Sequence, residues 1–180
     1  VSDMTHLYLS SFNGGGYANV ECPSVLVGVY PYLMAAEYPV DRIFISRVNA
    51  NYTRTIMNTF NDAEGLIGYG LEYDGKVIVS YKKKTSGTFH LHDGTSETAV
   101  AFGGRLVKTN GVTFCIERSG DNIAKINTGT LAFTWNVDYS AIFDQICQVE
   151  HDGTRYLVAG RKTGTQDIKI AEINPDTGAI

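Results

Sequence analysis

The stretch Asn110–Trp135, NGVTFCIERSGDNIAKINTGTLAFTW, decides the fold. It contains three short runs rich in β-branched and aromatic residues, separated by two groups of turn-forming residues. The expected strands and turns are, in chain order, Val112–Glu117, Ser119–Asp121, Asn122–Ile126, Asn127–Gly129 and Thr130–Trp135. Strands joined by connections this short run antiparallel to their neighbours. The stretch therefore predicts a three-stranded antiparallel meander.

The same unit recurs along the chain. Four turn entries, three of which end in Asn-Gly or Asp-Gly, each precede a run of β-forming residues. They are Glu37–Val40, Glu72–Gly75, Lys108–Gly111 and Glu150–Gly153, which start 35, 36 and 42 residues apart. A second set of Asp-, Asn- and Gly-rich turns lies at Asp62–Gly65, Asp93–Gly94, Asn127–Gly129 and Asp176–Gly178. Two turns of this kind in each unit predict four strands per unit.

Four-stranded antiparallel units about 40 residues apart are typical of the blades of a β-propeller. One blade alone leaves apolar faces exposed, and radial stacking of blades buries them. We therefore expect an all-β fold, with residues 1–180 forming a single β-propeller domain of about five short four-stranded antiparallel blades at a period of about 35–42 residues. The expected repeats are approximately 1–30, 31–69, 70–102, 103–135 and 136–180. The short first and last repeats leave an incomplete or a larger propeller as alternatives.

Two apolar stretches, Tyr32–Glu37 and Tyr139–Gln148, are compatible with either strand or helix, because short apolar runs do not separate the two. Trp135 is the last large residue of an expected strand. We expect it to pack between neighbouring blades, with Phe102 in the equivalent place one repeat earlier.

The composition is that of a folded globular protein, with 43% hydrophobic and 19% charged residues. A net charge of −4 argues against a nucleic-acid partner, which calls for a clustered basic face. The one basic run, Lys82–Lys84, is interpreted as a solvated hairpin turn and not as a phosphate contact. The longest apolar stretch, Ser24–Ala36, contains Gly28 and Pro31 and is too short to span a membrane.

Few residues carry the spacing of a metal or cofactor site. Cys22, Cys115 and Cys147 form no C-x-x-C pair, so neither a disulfide framework nor a zinc site is expected. His90 and His92 fall on one face of a strand and would need a third ligand to hold a metal, so a polar exposed strand face is the preferred interpretation. Gly14–Gly16 opens no helix and is interpreted as a hairpin connection. We expect no cofactor, metal or catalytic residues.

Acidic residues are candidate catalytic groups, because some five-bladed propellers are glycosidases and that chemistry needs two carboxyl groups about 5–10 Å apart. Candidates at repeat positions are Asp3, Asp41, Asp74 and Asp152. A turn position explains Asp74 and Asp152, because an Asp side chain there accepts hydrogen bonds from the backbone. Asp3 and Asp41 stay open, but the short blades leave few loops for a substrate pocket. The sequence predicts that the protein is not an enzyme.

The segment Gly111–Trp135 resembles the repeat of the quinoprotein (PQQ-like) β-propellers. The resemblance rests on Asn127-Thr128-Gly129 followed by a strand that ends in Trp135, and the turn Asp176–Gly178 matches more loosely. The two earlier copies lack the Thr-Gly pair. The resemblance implies a propeller fold and carries no chemistry of its own.

Two functions are compatible with these features. The preferred one is a non-enzymatic scaffold or recognition module, a structural or receptor-binding component of a larger assembly such as a phage tail or virion. Its partners would be protein subunits, further copies of this chain among them, and its location the virion or an extracellular assembly. The alternative is a carbohydrate-active propeller, either a lectin or a five-bladed glycosidase, with a glycan as ligand. Because both terminal repeats look short, we also expect the sheet to be completed by further residues of the chain or by a partner subunit.

Overall fold

The computed structural model describes residues 24–37, 41–64, 70–117 and 121–180. These residues form fifteen β-strands, and none of them lies in a helix. The strands are β1 (Ser24–Val27), β2 (Tyr30–Glu37), β3 (Arg42–Val48), β4 (Arg54–Asn61), β5 (Gly70–Tyr73), β6 (Val77–Lys82), β7 (Phe89–His92), β8 (Glu97–Val100), β9 (Gly104–Thr109), β10 (Val112–Glu117), β11 (Asn122–Asn127), β12 (Ala132–Asp138), β13 (Phe143–His151), β14 (Tyr156–Lys162) and β15 (Ile168–Ile173).

The strands form four consecutive antiparallel meanders. The first three sheets have four strands each (β1–β4, β5–β8 and β9–β12), and the fourth has three (β13–β15). The first strands of successive sheets lie side by side, β1 with β5, β5 with β9 and β9 with β13. This arrangement, in which sheets stack around their innermost strands, is that of propeller blades. The predicted all-β propeller fold is confirmed, and most of the expected first repeat lies outside the described residues.

Apolar side chains fill the three spaces between successive sheets. The seam between the first and second sheets is centred on Met34, Ile43, Ile45, Leu71 and Val79. The space between the second and third sheets holds Ile78, Leu91, Leu106, Cys115 and Ile126, and that between the third and fourth holds Phe114, Ile123, Phe143, Val149 and Val158. Each inner sheet thus buries both faces, which is why its central strands have nearly continuous apolar runs.

One part of the predicted repeat alignment is wrong. The turns after Glu72, Lys108 and Glu150 join the first two strands of their sheets, as aligned. Glu37 instead ends β2, and β2 pairs with β3, so the aligned position falls between the second and third strands of its sheet. The equivalent turn is Gly28–Val29, which lacks the Asp-Gly or Asn-Gly pair by which the other three were recognised.

Of the two ambiguous apolar stretches, Tyr32–Glu37 lies within β2. Tyr139–Gln148 begins with a turn at residues 139–142 and continues as the first part of β13, the longest of the described strands. Trp135 packs against the apolar cluster between the third and fourth sheets, as predicted. Phe102 is buried between the second and third sheets, but it follows β8 and does not lie within it. None of the described residues forms a helix long and apolar enough to cross a membrane.

Candidate functional site

The basic run Lys82–Lys84 is paired with carboxylates. Lys82 Nζ lies 2.5 Å from Glu64, and Lys83 Nζ lies 2.6 Å from Glu97. Lys84 Nζ lies 2.6 Å from Asp41, at the start of β3 in the first sheet. The run therefore ties the second sheet to the first, and its charges are neutralised by this pairing. The run lies at the β6–β7 hairpin connection, as predicted, and the ion pairs with carboxylates are an addition to that interpretation. The prediction that it contacts no phosphate remains untested.

His90 and His92 lie on one face of β7, as predicted, but that face is half-buried instead of exposed. It packs in the seam between the first two sheets, where the His92 ring meets Phe60 edge-on at 4.7 Å and the His90 ring lies 5.9 Å from Tyr81. Burial lowers the pKa of both imidazoles. Among the described residues, no group of three or more His, Cys, Asp or Glu side chains could hold a metal ion.

Glu97 on β8 is the centre of the polar contacts in this seam. Its carboxylate accepts hydrogen bonds from the Tyr81 hydroxyl and, at 2.6 Å, from Lys83 Nζ. Burial raises the pKa of Glu97, but these two hydrogen bonds outweigh burial and hold the pKa below its usual value. Glu97 is therefore ionised at neutral pH beside a neutral His90.

A separate open cleft of about 440 Å³ lies where the β5–β6 turn meets the third sheet. Most of its lining comes from the β9–β10 turn, β10, β11 and the β11–β12 turn. The lining residues are Asp74, Gly111, Val112, Thr113, Lys125, Ile126, Asn127, Thr128 and Thr134. Carboxylate, amide, hydroxyl and backbone groups thus converge on one open space.

Asp74 bridges the second and third sheets at the edge of this cleft. One carboxylate oxygen lies 2.6 Å from Lys108 Nζ, and the other accepts a hydrogen bond from the Thr128 hydroxyl at 2.8 Å. The hydrogen bond from Lys108 is the largest cause that lowers the pKa of Asp74. Asp74 is therefore held in place by the neighbouring blade, and not by its own turn as predicted.

The other acidic candidates do not join Asp74 in the cleft. Asp152 accepts hydrogen bonds from the backbone N–H groups of Thr154 and Arg155 at 2.9 and 2.8 Å, which is the predicted turn role. Asp41 pairs with Lys84, and Asp3 lies outside the described residues. Asp74 is the single carboxylate that lines the cleft, so the two-acid arrangement of a glycosidase is not assembled by the cleft residues.

Thr113 is the least expected member of the cleft. Its side chain is 2% exposed, and its hydroxyl has no hydrogen-bond partner in the described structure. It is close enough to Asp74 to help lower the pKa of that carboxyl, but not in hydrogen-bond geometry with it. Sequence reasoning placed Thr113 in a strand and gave it no role. The available signal was a hydroxyl at an inward position of the otherwise apolar run Val112–Ile116.

Comparison with known proteins extends the description of the fold. Neither a family model nor a curated protein matches the chain. The structure is similar to that of a GH43 protein, the K247S mutant of BlXynB from Bacillus licheniformis, with a TM-score of 0.48 and 12% identity over 86% of this chain and 40% of that chain. It is also similar to Myxococcus xanthus glutaminyl cyclase, with a TM-score of 0.40 and 12% identity over 84% of this chain and 73% of that chain.

These likenesses concern the fold alone. The chain spans less than half the length of the GH43 protein. Both similar proteins bear the names of enzymes, so the prediction that this chain is not an enzyme is withdrawn. Likenesses at this level assign no activity to the chain.

Proposed function

We propose that the protein is a propeller module that recognises a polyhydroxylated ligand of the carbohydrate class in the cleft beside Asp74 and Thr113. The observation that carries the proposal is the buried Thr113 hydroxyl, which lacks a hydrogen-bond partner and lines the cleft. A buried hydroxyl without a partner costs about 1–3 kcal/mol. The hydroxyl is covered in the empty site, so a ligand hydroxyl would reach it only if neighbouring side chains moved, and that contact would then remove this cost.

The remaining lining residues match the chemistry of a sugar. Sugar hydroxyls both donate and accept hydrogen bonds. An ionised carboxylate accepts from them, and threonine hydroxyls and side-chain amides can either donate to them or accept from them. Asp74 is held in its ionised form, and Asn127, Thr128 and Thr134 supply the mixed groups. The turn Asn127–Gly129, which carries the resemblance to quinoprotein repeats, thus contributes to one wall of this site.

A glycan array followed by calorimetry on the best ligand tests the proposal. Thr113→Val keeps the side-chain shape and removes the hydroxyl, and Thr59→Val is a matched control on an exposed position of β4. We expect Thr113→Val to weaken binding about tenfold or more, as for one lost hydrogen bond of about 1.4 kcal/mol, and Thr59→Val to leave it unchanged. Absence of any glycan ligand, or equal affinities in wild type and Thr113→Val, would contradict the proposal.

A second candidate function is a role as a structural or receptor-binding component of a larger assembly, such as a phage tail or virion. The observation that favours it is the fourth sheet, in which no described strand pairs with the outer side of β15. Ile168 and Ile170 on this strand are 82% and 64% exposed. An edge strand with exposed isoleucines is a template for pairing with a strand of another subunit.

Sedimentation velocity tests the assembly role. We expect the wild-type chain to self-associate, and Ile170→Lys to be monomeric because a charged residue on an edge strand opposes pairing. Val29→Lys, in the exposed turn between β1 and β2 and on no strand, is the matched control and should still associate. A wild-type monomer in which the β15 amide protons are protected from exchange would argue against this role.

A further inference from the structure

The side chains of Thr88, His90 and Glu97 lie in a row, with a hydrogen bond between the first two and a gap before the third. Thr88 Oγ1 lies 2.8 Å from His90 Nε2, and His90 Nδ1 lies 3.7 Å from Glu97 Oε1. The imidazole therefore stands between a hydroxyl and a carboxylate, with a different ring nitrogen facing each. This order of groups is that of a nucleophile, a general base and the acid that orients the base.

The base and the acid are held in place by the second sheet. His90 is opposite Tyr81 in the β6–β7 pairing, and the two rings pack together. Tyr81 and Lys83 both donate hydrogen bonds to Glu97, which fixes the carboxylate beside the imidazole. His90 Nδ1 is buried and makes no hydrogen bond in the described structure. When the ring carries its proton on Nδ1, a small shift of the imidazole would bring that N–H within hydrogen-bond distance of the Glu97 carboxylate. Hydrogen bonds between catalytic groups are often long before substrate binds and shorten in the complex.

The nucleophile end is open to solvent. Thr88 is exposed, and its hydroxyl also lies 2.6 Å from Ser86 Oγ. The backbone N–H of Thr88 makes only a long contact of 3.4 Å with Ser86 Oγ, so it remains able to donate to an oxyanion that forms at Thr88. Burial lowers the pKa of His90, which keeps the imidazole neutral and able to accept a proton at pH 7.

We propose that Thr88, His90 and Glu97 form an acyl-transfer site that accepts small esters. Thr88 Oγ1 attacks the ester carbonyl carbon, and its proton passes to His90 Nε2. The ester C–O bond breaks, the departing alcohol takes that proton, and an acyl-threonine remains. Water then attacks the acyl-threonine with His90 again as base, which releases the carboxylic acid and restores the hydroxyl. Glu97 is a positioning residue that stabilises the imidazolium formed in each half of the cycle.

Acylation by p-nitrophenyl acetate tests this site in the intact chain. We expect a burst of nitrophenolate equal to one per chain, and peptide mass spectrometry should place the acetyl group on Thr88. Thr88→Val should abolish the burst and Thr88→Ser should retain it. His90→Gln should slow it on the order of 10²-fold, the usual contribution of a general base. The burst rate of the wild type should rise with pH through the depressed pKa of His90, below about 6.5.

Two variants separate this chemistry from the intrinsic reactivity of imidazoles and hydroxyls. His92→Gln removes the neighbouring histidine, and Thr98→Val removes a hydroxyl from β8 that bonds to the Thr130 carbonyl. Both should leave the burst unchanged. The proposal is overturned by absence of a burst, by an acetyl group on any residue other than Thr88, or by equal burst rates in wild type and a folded His90→Gln variant.

Discussion

Trp135 donates its indole N–H to the carbonyl oxygen of Pro175 at 3.0 Å, and this hydrogen bond joins the third sheet to the segment that follows β15. The indole ring also packs on Phe114, with 6.1 Å between ring centroids, and against Gly178. One aromatic side chain thus connects two blades by both apolar packing and a directed polar contact.

Trp135→Ala is expected to lower the free energy of unfolding by about 3 kcal/mol, the lower end for loss of a large aromatic side chain, because the indole is only partly buried. Trp135→Phe retains the packing and loses the hydrogen bond, so it should cost about 1 kcal/mol. Denaturant unfolding measures both. Equal costs for the two variants would show that packing contributes nothing at this position.

Gly104 should be intolerant of any side chain. A Cβ atom at this position would collide with the carbonyl oxygen of Ile116 and with the backbone of Glu117, neither of which can move away alone. Gly104→Ala should therefore destabilise the protein by about 3 kcal/mol or more. Gly75→Ala is the control, because Gly75 has a φ of 73° but nothing lies near its Cβ position. It should cost about 1–2 kcal/mol from backbone strain alone. Thermal unfolding of both variants tests this, and the melting temperature should fall further for Gly104→Ala than for Gly75→Ala. Similar melting temperatures would contradict the close packing around Gly104.

The two buried threonines of the third sheet should respond in opposite directions to the same substitution. Thr109 donates to Glu150 at 3.2 Å and accepts from the His151 backbone N–H at 3.0 Å, whereas the Thr113 hydroxyl has no partner. Thr109→Val should therefore destabilise by about 1–3 kcal/mol, and Thr113→Val should be neutral or stabilising by about 1 kcal/mol. Denaturant unfolding without ligand measures both, and a destabilised Thr113→Val would show that its hydroxyl is satisfied in solution.

Stability should fall as the pH is lowered from 7.5 to 5.5. Burial lowers the pKa of His90 and His92 in the folded state, so the unfolded chain binds more protons in this range. Their contribution is complete above the unfolded pKa of about 6.5 and is lost as the pH falls through that value toward the folded pKa. Denaturant midpoints across this range should show the decline, and the double variant His90→Gln/His92→Gln should flatten it. An unchanged slope in the double variant would assign the decline to other groups.

Much of the fold follows from local signals in the sequence. Asn110-Gly111 and Asp152-Gly153 mark hairpin turns because their backbones need positive φ, which Gly111 (77°) and Gly153 (101°) adopt. The first repeat departs from this pattern because Gly28-Val29 makes the equivalent turn without an Asp or Asn before the glycine. Turn residues therefore predict the start of a blade only where a polar residue precedes the glycine.

The contacts between blades could not be predicted in the same way. Asp74 looked like a turn residue, but it bonds to Lys108 and Thr128, which are 34 and 54 residues further along the chain. His90 and His92 look like part of an exposed polar face because nothing in their own strand shows that Tyr81 packs on the first ring and Phe60 on the second. Such contacts depend on how one sheet stacks on the next. The residues that meet are far apart in the sequence, and no local pattern marks them.

A ligand titration followed by the methyl resonance of Thr113 measures directly whether the cleft beside Asp74 binds a carbohydrate. The γ-methyl group of Thr113 should shift in a saturable way as the ligand identified on the array is added, with the methyl of the exposed Thr59 unchanged as an internal reference. The same titration with Asp74→Asn should saturate at higher ligand concentration, because the carboxylate acceptor is lost. A Thr113 methyl resonance that does not move while the ligand binds elsewhere on the protein would contradict the account.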